Sequence, residues 1–434
     1  MEIGWDTIIA APIKGRAAMK SRYGFHVPAA DNSLALVGPG EPMGELMRRY
    51  WQPLCLSGDL AHGDASLPRR VRILCEDLVV FRGPSGQVGC LELHCAHRGT
   101  SLEYGQIEAG GIRCCYHGWL FDAQGQCTDM PAEEPDMVAK MDVWQPAYPV
   151  HEFGGLVFIY MGPPELQPLF PMYDIIDVAG RDDVVLRGMR LWEDHSVGFV
   201  RDCNWLQAFE NVVDAYHLLQ LHAAISGDQF GSSVTAPGAP EISFEETPLG
   251  VRYHMLRDLP NGNRLERFGE ACLPNIMLIP SIHEPGTDVK TKERATELSF
   301  CVPVDNETIC ALTIVAWPAK DGVPLEDWKP GTDTITDIRP GNFRSRPYEE
   351  KQRHPDDMEA QESQRRISVH GLEHLGRSDV GVAMLRQQFR DALKAMERGE
   401  DPPNIQRDKG ANKSIPTHAW NTVTAGGAGA KAAE

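Results

Sequence analysis

The 434-residue sequence has no long hydrophobic run, no surplus of positive charge, no glycine-rich dinucleotide fingerprint and no internal repeat. A spanning helix needs roughly 18–20 consecutive apolar residues, and nothing in the chain comes close, so no membrane span is expected. Lysine and arginine number 42 against 61 acidic residues, a formal net charge of −19. That balance excludes broad nucleic-acid binding, which displaces counterions with a positive footprint, and adhesion to an anionic membrane. The opening MEIGWDTIIAAPIKGR carries only the short apolar run Ile8–Ile13, broken by Pro12, and lacks a secretory cleavage pattern. Without a G-x-G-x-x-G turn the chain has no evident way of collecting electrons from a nicotinamide cofactor itself.

What is present is cysteine, 11 of them, with five between Cys90 and Cys127. An odd count without a leader suggests free thiols in a reducing, cytoplasmic setting, and clustered thiols there suggest a metal before a disulfide. Length predicts two unequal domains. Residues 1–33 read as an N-terminal extension, with a short helix from Met43 to Tyr50 soon after it. From about Arg70 to Gly162 short strands bounded by Gly, Pro or Asp predict an all-β domain, 34–165, in which VRILCEDLVVFR reads as one strand. PPELQP at 163–168 reads as a linker. The remainder, 166–415, mixes strands (NIMLIPS, ELSFCVPV, TICALTIVAW) with helical stretches at Arg201–Ala224 and, capped by Ser378, up to Arg398. Sheet and helix together predict an α+β domain. The polar stretch 317–355 reads as a long loop, and 416–434 as a disordered tail.

Two constellations carry chemistry. Cys95-Ala-His97 is followed, after 16 residues, by Cys114-Cys-Tyr-His117. Each half offers one thiolate and one imidazole. Zinc accepts such a set, but usually through CxxC knuckles or a helical HxxxH. CxH with CxxH among strands instead matches a Rieske [2Fe–2S] centre, two Cys on one iron and two His on the other. Cys115-Tyr-His117 also spells CxH, so Cys115 competes with Cys114; the longer spacing favours Cys114. Cys55, Cys75, Cys90 and Cys127 read as small buried hydrophobes.

The second constellation is Glu210-Asn-Val-Val-Asp214-Ala-Tyr-His217-Leu-Leu-Gln-Leu-His222. Asp214 and His217 share a helix face. His217 and His222 lie about 140° apart on a regular helix, so a shared metal needs a bulge or turn there. A facial triad also needs a carboxylate. Asp356, Asp357, Glu359 and Glu362 are all available, and spacing alone does not choose among them.

These motifs, with LVGPGEPMGELMRRYWQP, RRVRILCEDLVVFR and HLGRSDVGVAMLRQQF, resemble the oxygenase component of the Rieske non-haem iron oxygenases, in particular the phthalate 4,5-dioxygenase branch. The resemblance covers roughly residues 34–398. It implies a β-rich Rieske domain beside a helix-grip (START-like) catalytic domain with a large antiparallel sheet. It implies Cys95 and Cys114 on one cluster iron, His97 and His117 on the other, and mononuclear Fe(II) on His217, His222 and Asp357. It makes Asp214 the bridge to a neighbouring subunit's Rieske histidine, hence a homotrimer or stacked trimers. It also implies a separate NADH-dependent flavin/iron–sulfur reductase, O₂, and cis-dihydroxylation of an aromatic substrate, with monohydroxylation and O-demethylation as alternatives.

An aromatic carboxylate calls for a pocket arginine. Arg257 and Arg267 are the candidates, against the plainer reading of exposed strand residues; Ile276, Leu278 and Phe300 could face the ring. Two other classes compete: an iron–sulfur electron carrier without oxygen chemistry and a zinc-binding interaction module. Purified protein is expected to be red-brown, with labile sulfide and a separately removable ferrous iron. Iron confined to the cluster would favour the carrier, and a colourless zinc protein the module.

Overall fold

In this computed structural model the described residues are 31–60, 66–191, 200–225, 238–280, 288–327 and 346–426. The reading of residues 1–33 as an extension falls almost wholly outside them, as does the centre of the 317–355 stretch. Among the described residues no helix is long and apolar enough to cross a membrane.

The N-terminal half opens with the helix Pro42–Arg48, starting one residue earlier and ending two residues earlier than expected, its proline in the first turn where no backbone donor is lost. Three small antiparallel sheets follow. β1 (Trp51–Leu56) pairs β10 (Leu156–Tyr160), which pairs β9 (Val150–Phe153). β2 (Arg69–Ile73), β3 (Glu76–Arg82) and β4 (Val88–Glu92) form a meander. β5 (Gln106–Glu108), β6 (Gly111–Arg113), β7 (Leu120–Phe121) and β8 (Cys127–Asp129) form the third sheet. The stretch VRILCEDLVVFR is therefore not one strand but the hairpin β2–β3. Leu74 and Cys75 turn it at positive φ, 48° and 67°. Their N–H groups donate to the carbonyls of Pro303 and Val304 in the second domain, so a distant contact stabilises a turn that lacks glycine.

The second half is built on a ten-stranded antiparallel sheet. Its main path runs β11 (Val184–Arg190), β18 (Ile309–Lys320), β17 (Glu297–Pro303), β15 (Ile276–Leu278), β14 (Arg264–Cys272), β13 (Gly250–Asp258), β12 (Glu241–Glu246). β16 (Lys290–Arg294), β19 (Val323–Pro324) and β20 (Trp420–Thr424) attach off this path. β20 corrects the expected tail: Trp420–Thr424 pairs both β14 and β16, with Val423 buried, so the catalytic domain extends past 415. A strand that short shows too little alternation to be recognised without its neighbours.

One face of the sheet carries the helices. The long helix Val380–Glu397 buries Val382, Leu385, Phe389 and Ala392, the spacing expected of an apolar stripe. It is preceded by a short 3₁₀ turn, Arg377–Asp379, so Ser378 is not its cap; the Asp379 carboxylate instead accepts the Gly376 N–H. Trp205 and Phe209 pack edge-on and tilted against Phe389. On the other face, Phe300 meets Phe158 of the first domain at 5.7 Å between ring centroids.

Gly381 lets the long helix approach the site-bearing segment. A Cβ there would sit 2.5 Å from the Phe244 ring and 2.7 Å from the Val213 carbonyl. Helix propensity alone predicts that Gly381→Ala stabilises. Overpacking predicts a loss of about 1–3 kcal/mol, and we expect a lowered Tm by calorimetry. A Tm at or above that of the parent would contradict the close approach.

Candidate metal centres

The first centre lies in two loops of the same design. In the loop Cys95-Ala-His-Arg-Gly99 the Gly99 N–H donates to the Cys95 carbonyl at 2.8 Å, and in Cys114-Cys-Tyr-His-Gly118 the Gly118 N–H donates to Cys114 at 3.0 Å. Both glycines stand at φ +75°, which an L side chain resists. The Cys95 and Cys114 N–H groups bond the carbonyls of Thr100 and Trp119. The matching design of the two loops makes Cys114 the geometric counterpart of Cys95; both are buried, whereas Cys115 is exposed. Cys55, Cys90 and Cys127 are buried as expected, and Cys75 is half-buried.

The loops bring the four expected residues together. Cys95 and Cys114 join one apolar cluster with Phe81, Trp119 and Phe121. The His97 and His117 rings lie 4.5 Å apart, edge to face. Trp119 stacks on His97 at 4.3 Å and 5°. His97 Nδ1 is buried without a hydrogen-bond partner. Burial, with Cys114 adjacent, pushes the Cys95 thiol up to about 12. Two buried cysteines and an unused imidazole nitrogen fit a soft metal cluster, whose binding would displace the thiol protons.

The second centre rests on a broken helix. Residues 201–224, expected as one helix, divide into the helix Trp205–Phe209, a 3₁₀ turn Glu210–Val213, a break at Asp214 and a π-helix Leu218–Ile225. Asn204 caps the first piece through Leu206 N–H. The required bulge is thus supplied by i→i+5 winding, which brings residues five apart onto one side. His217 and His222 rings lie 5.2 Å apart. Asp357, at the start of the helix Asp357–Glu362, completes the group: Oδ1 is 3.7 Å from His217 Nε2 and Oδ2 is 3.2 Å from His222 Nε2. One ligand atom from each residue falls within 4.8 Å of the others.

The four candidate acids separate clearly. Asp356 caps its helix through Met358 N–H and faces Arg346; burial, with Glu359 beside it, pushes its carboxyl up to about 6. Glu359 pairs with Arg346, and Glu362 accepts the Asp202 N–H. Burial works to raise Asp357 too, but the His222 and His217 imidazoles hold it well below the usual carboxylate range. An anionic carboxylate between two imidazoles is a cation site in charge and geometry.

The Asp214 carbonyl accepts the His217 Nδ1–H, fixing the tautomer that leaves Nε2 free as a ligand. The Asp214 carboxylate, 3.9 Å from His217 Nδ1, is 40% exposed and opens on a cavity of about 400 Å³. Burial pushes its pKa up. Asn211 was missed in the sequence: its amide donates to Asp357 Oδ1 at 3.0 Å and sits 3.3 Å from His217 Nε2. Its place one helical turn before Asp214 was the available signal.

Arg257 and Arg267 are not exposed strand residues; they are 3% and 1% exposed. Both lie on the sheet face that Ala215, next to Asp214, covers together with Tyr253, Met255 and Leu265. Arg267 donates to Tyr253 Oη, Asn421 Oδ1 and the Pro280 carbonyl. Ile276 and Phe300 point the other way, into a cavity of about 30 Å³ between the domains, with Leu278 on their side by strand alternation. They do not serve the metal centre.

Residues 50–150 match the family model described as the Rieske [2Fe-2S] domain. Phenoxybenzoate dioxygenase subunit alpha of Ectopseudomonas oleovorans is 40% identical over 88% of this chain and 89% of its own length. A tert-butanol monooxygenase / tert-amyl alcohol desaturase oxygenase subunit of Aquincola tertiaricarbonis is also 40% identical, over 88% and 80%. The phthalate 4,5-dioxygenase oxygenase subunit of Pseudomonas putida is 29% identical over 86% and 87%. In fold, the chain matches dicamba monooxygenase bound to dicamba with a TM-score of 0.56 at 18% identity, over 81% of this chain and 99% of that one. A Rieske domain beside a mononuclear iron domain defines an oxidoreductase of the Rieske non-haem iron oxygenase class. The chain belongs to that family, as an oxygenase (alpha) component.

Replacing Asp357 by Ala is expected to abolish binding of the ferrous ion while the cluster absorption persists. Asp356→Ala is expected to keep the iron and to lose a helix cap, about 1 kcal/mol of stability, together with its contact to Arg346. Metal analysis of the two variants separates them; the reverse pattern would move the ligand by one residue.

Proposed function

We propose that this oxygenase hydroxylates an aromatic carboxylate by cis-dihydroxylation. The observation that carries the substrate class is the pair of buried cations, Arg257 and Arg267, on the sheet face covered by the metal-site segment. A guanidinium matches a carboxylate in two hydrogen bonds. Arg267 donates to three protein acceptors, a framework role, and Arg257, buried on the same face, is assigned as the carboxylate anchor. The phenoxybenzoate and phthalate substrates named for two relatives are of this chemistry. A second reading, insertion of one oxygen atom or O-demethylation, is favoured by the monooxygenase among relatives of equal identity.

In this reading Cys95 and Cys114 hold one cluster iron, His97 and His117 the other, and His217, His222 and Asp357 hold the mononuclear iron. Loaded, the cluster supplies single electrons and the ferrous ion supplies the activation of O₂. The chain's own residues prepare that chemistry. Asp214 fixes the His217 tautomer through its carbonyl, Asn211 orients Asp357, and Arg386 ties Glu210 and Glu373 so that the turn before Asp214 stays in place. The exposed Asp214 carboxylate is positioned to accept an imidazole N–H from a neighbouring copy, which makes the working unit a homotrimer or stacked trimers. Electrons come from a separate protein, here assigned as an NADH-dependent flavin/iron–sulfur reductase.

The test is turnover of a panel of aromatic acids with a competent reductase, NADH and ¹⁸O₂. Both labelled atoms in the product establish dioxygenation; one establishes the second reading; no turnover of any aromatic acid sinks the substrate class. Arg257→Met is expected to raise KM for the accepted acid roughly 10–100-fold, the loss of one charged hydrogen-bonding partner of about 1.5–3 kcal/mol. Asp214→Asn is expected to keep both metal centres yet stop reduction of the mononuclear site, read in a single-turnover experiment. An unchanged rate would refute its bridging role.

A further inference from the structure

The segment around residue 145 runs beside β4, the strand that leads into the first cluster loop, and is tied to that strand and to Gly125. Glu92 N–H donates to the Pro146 carbonyl at 2.8 Å, Tyr148 N–H to Cys90 at 3.0 Å, and Gln145 N–H to Gly125 at 2.7 Å. From this segment the Gln145 side chain, 1% exposed, enters the loop itself. Its Oε1 accepts the Ala96 N–H at 2.7 Å. Its Nε2 donates to the Glu92 carbonyl at 2.8 Å, the His94 carbonyl at 3.0 Å and the Glu92 carboxylate at 3.1 Å. The amide orientation is determined by this set, because an N–H only donates and a carbonyl only accepts. Glu92 also accepts the His94 N–H at 2.8 Å, which closes the network on the loop.

Ala96 stands between Cys95 and His97, the two residues this loop gives to the cluster. Backbone N–H groups near an iron–sulfur cluster either donate to its sulfurs or are used elsewhere. Donors to the sulfurs favour the reduced, more negative form and raise the potential. Here the Ala96 N–H is committed to Gln145. A side chain needed only to fill this space would be apolar, since every buried amide atom has to be satisfied. Gln145 instead makes four hydrogen bonds to a loop some fifty positions away.

We propose that Gln145 is a positioning residue for the Rieske cluster: by binding the Ala96 N–H it keeps that donor from the cluster sulfurs and so sets the reduction potential lower than the loop alone would give. The inference rests on the assignment of Cys95, His97, Cys114 and His117 to the cluster. It predicts shifts of opposite sign in two variants of the full-length holoprotein. Gln145→Met removes the acceptor, releases the Ala96 N–H and raises the midpoint potential. Gln145→Glu keeps an acceptor for the Ala96 N–H but loses the Nε2 donor to Glu92 and His94; ionised, it adds negative charge beside the loop and lowers the potential.

The experiment is a redox titration at pH 8 followed by EPR of the reduced cluster, with iron, labile sulfide and far-UV circular dichroism measured on each sample. Opposite shifts with the cluster retained support the proposal. So does loss of the cluster in a folded Gln145→Met chain when Gln145→Glu keeps it at lower potential. Parent potentials in both variants, shifts in one direction in both, or loss of the cluster from both overturn it. A parent chain that assembles no cluster sinks the assignment of the four ligands instead, and the proposal with it.

Discussion

Two imidazoles five positions apart cannot serve one metal from a regular helix, and the catalytic half of this protein is organised around solving that problem. Asn204 starts a helix, the chain tightens into a 3₁₀ turn, Asp214 breaks it, and a π-helix then carries His217 and His222 onto one side. Such a path is intrinsically poor, because short irregular turns leave backbone groups without helical partners. It is held by contacts from outside: Arg386 of the long helix grips Glu210 with two hydrogen bonds, and Gly381 allows the Val213 carbonyl to come close. Asp357 reaches the pair from a separate helix, steadied by Asn211 at its carboxylate and Arg201 at its backbone. Regularising the winding would disperse the site even with every ligand present.

The cluster domain solves a different problem by repetition. Two loops close on a glycine four residues after a buried cysteine, and the two histidines differ only in whether they follow by two or three residues. Their rings meet at the domain edge while the thiols share its apolar core. That domain is not loosely tethered. Residues of both halves share a single hydrophobic core, Asn275 donates to Gln52 across the boundary, and the β2–β3 turn hangs on carbonyls of the catalytic sheet. The placement of one half on the other is therefore a property of the folded chain. The link from Asp214 outward is the part assigned to an assembly.

The two faces of the sheet differ in character. The side toward the first domain is apolar and aromatic, with Phe158 against Phe300. The side toward the metal centre carries Arg257 and Arg267, whose burial lowers the Arg257 guanidinium from its ordinary value. Strand alternation makes such a division possible: one residue of register moves a side chain from one face to the other.

Much of the chemistry was legible without coordinates. Ligand residues of a cluster loop must be close in sequence, so CxH, CxxH and DxxHxxxxH announce themselves by spacing, and even the need for a non-helical bend between His217 and His222 followed from helix geometry. The long amphipathic helix and the major strands followed from periodicity. What sequence could not decide were relations between distant segments. Asp357 and Asp356 are adjacent acids of equal chemistry, and only packing turned one toward two imidazoles and the other toward Arg346. Arg257 and Arg267 stand in the sequence as pocket candidates or exposed strand residues alike, and only the assembled strands show them buried. The hairpin inside VRILCEDLVVFR and the strand Trp420–Thr424 depend on partners more than a hundred residues away. Local pattern determines which atoms are available for metal and proton chemistry; the three-dimensional packing of remote segments determines which of them meet, because direction and burial are not carried by any single stretch of chain.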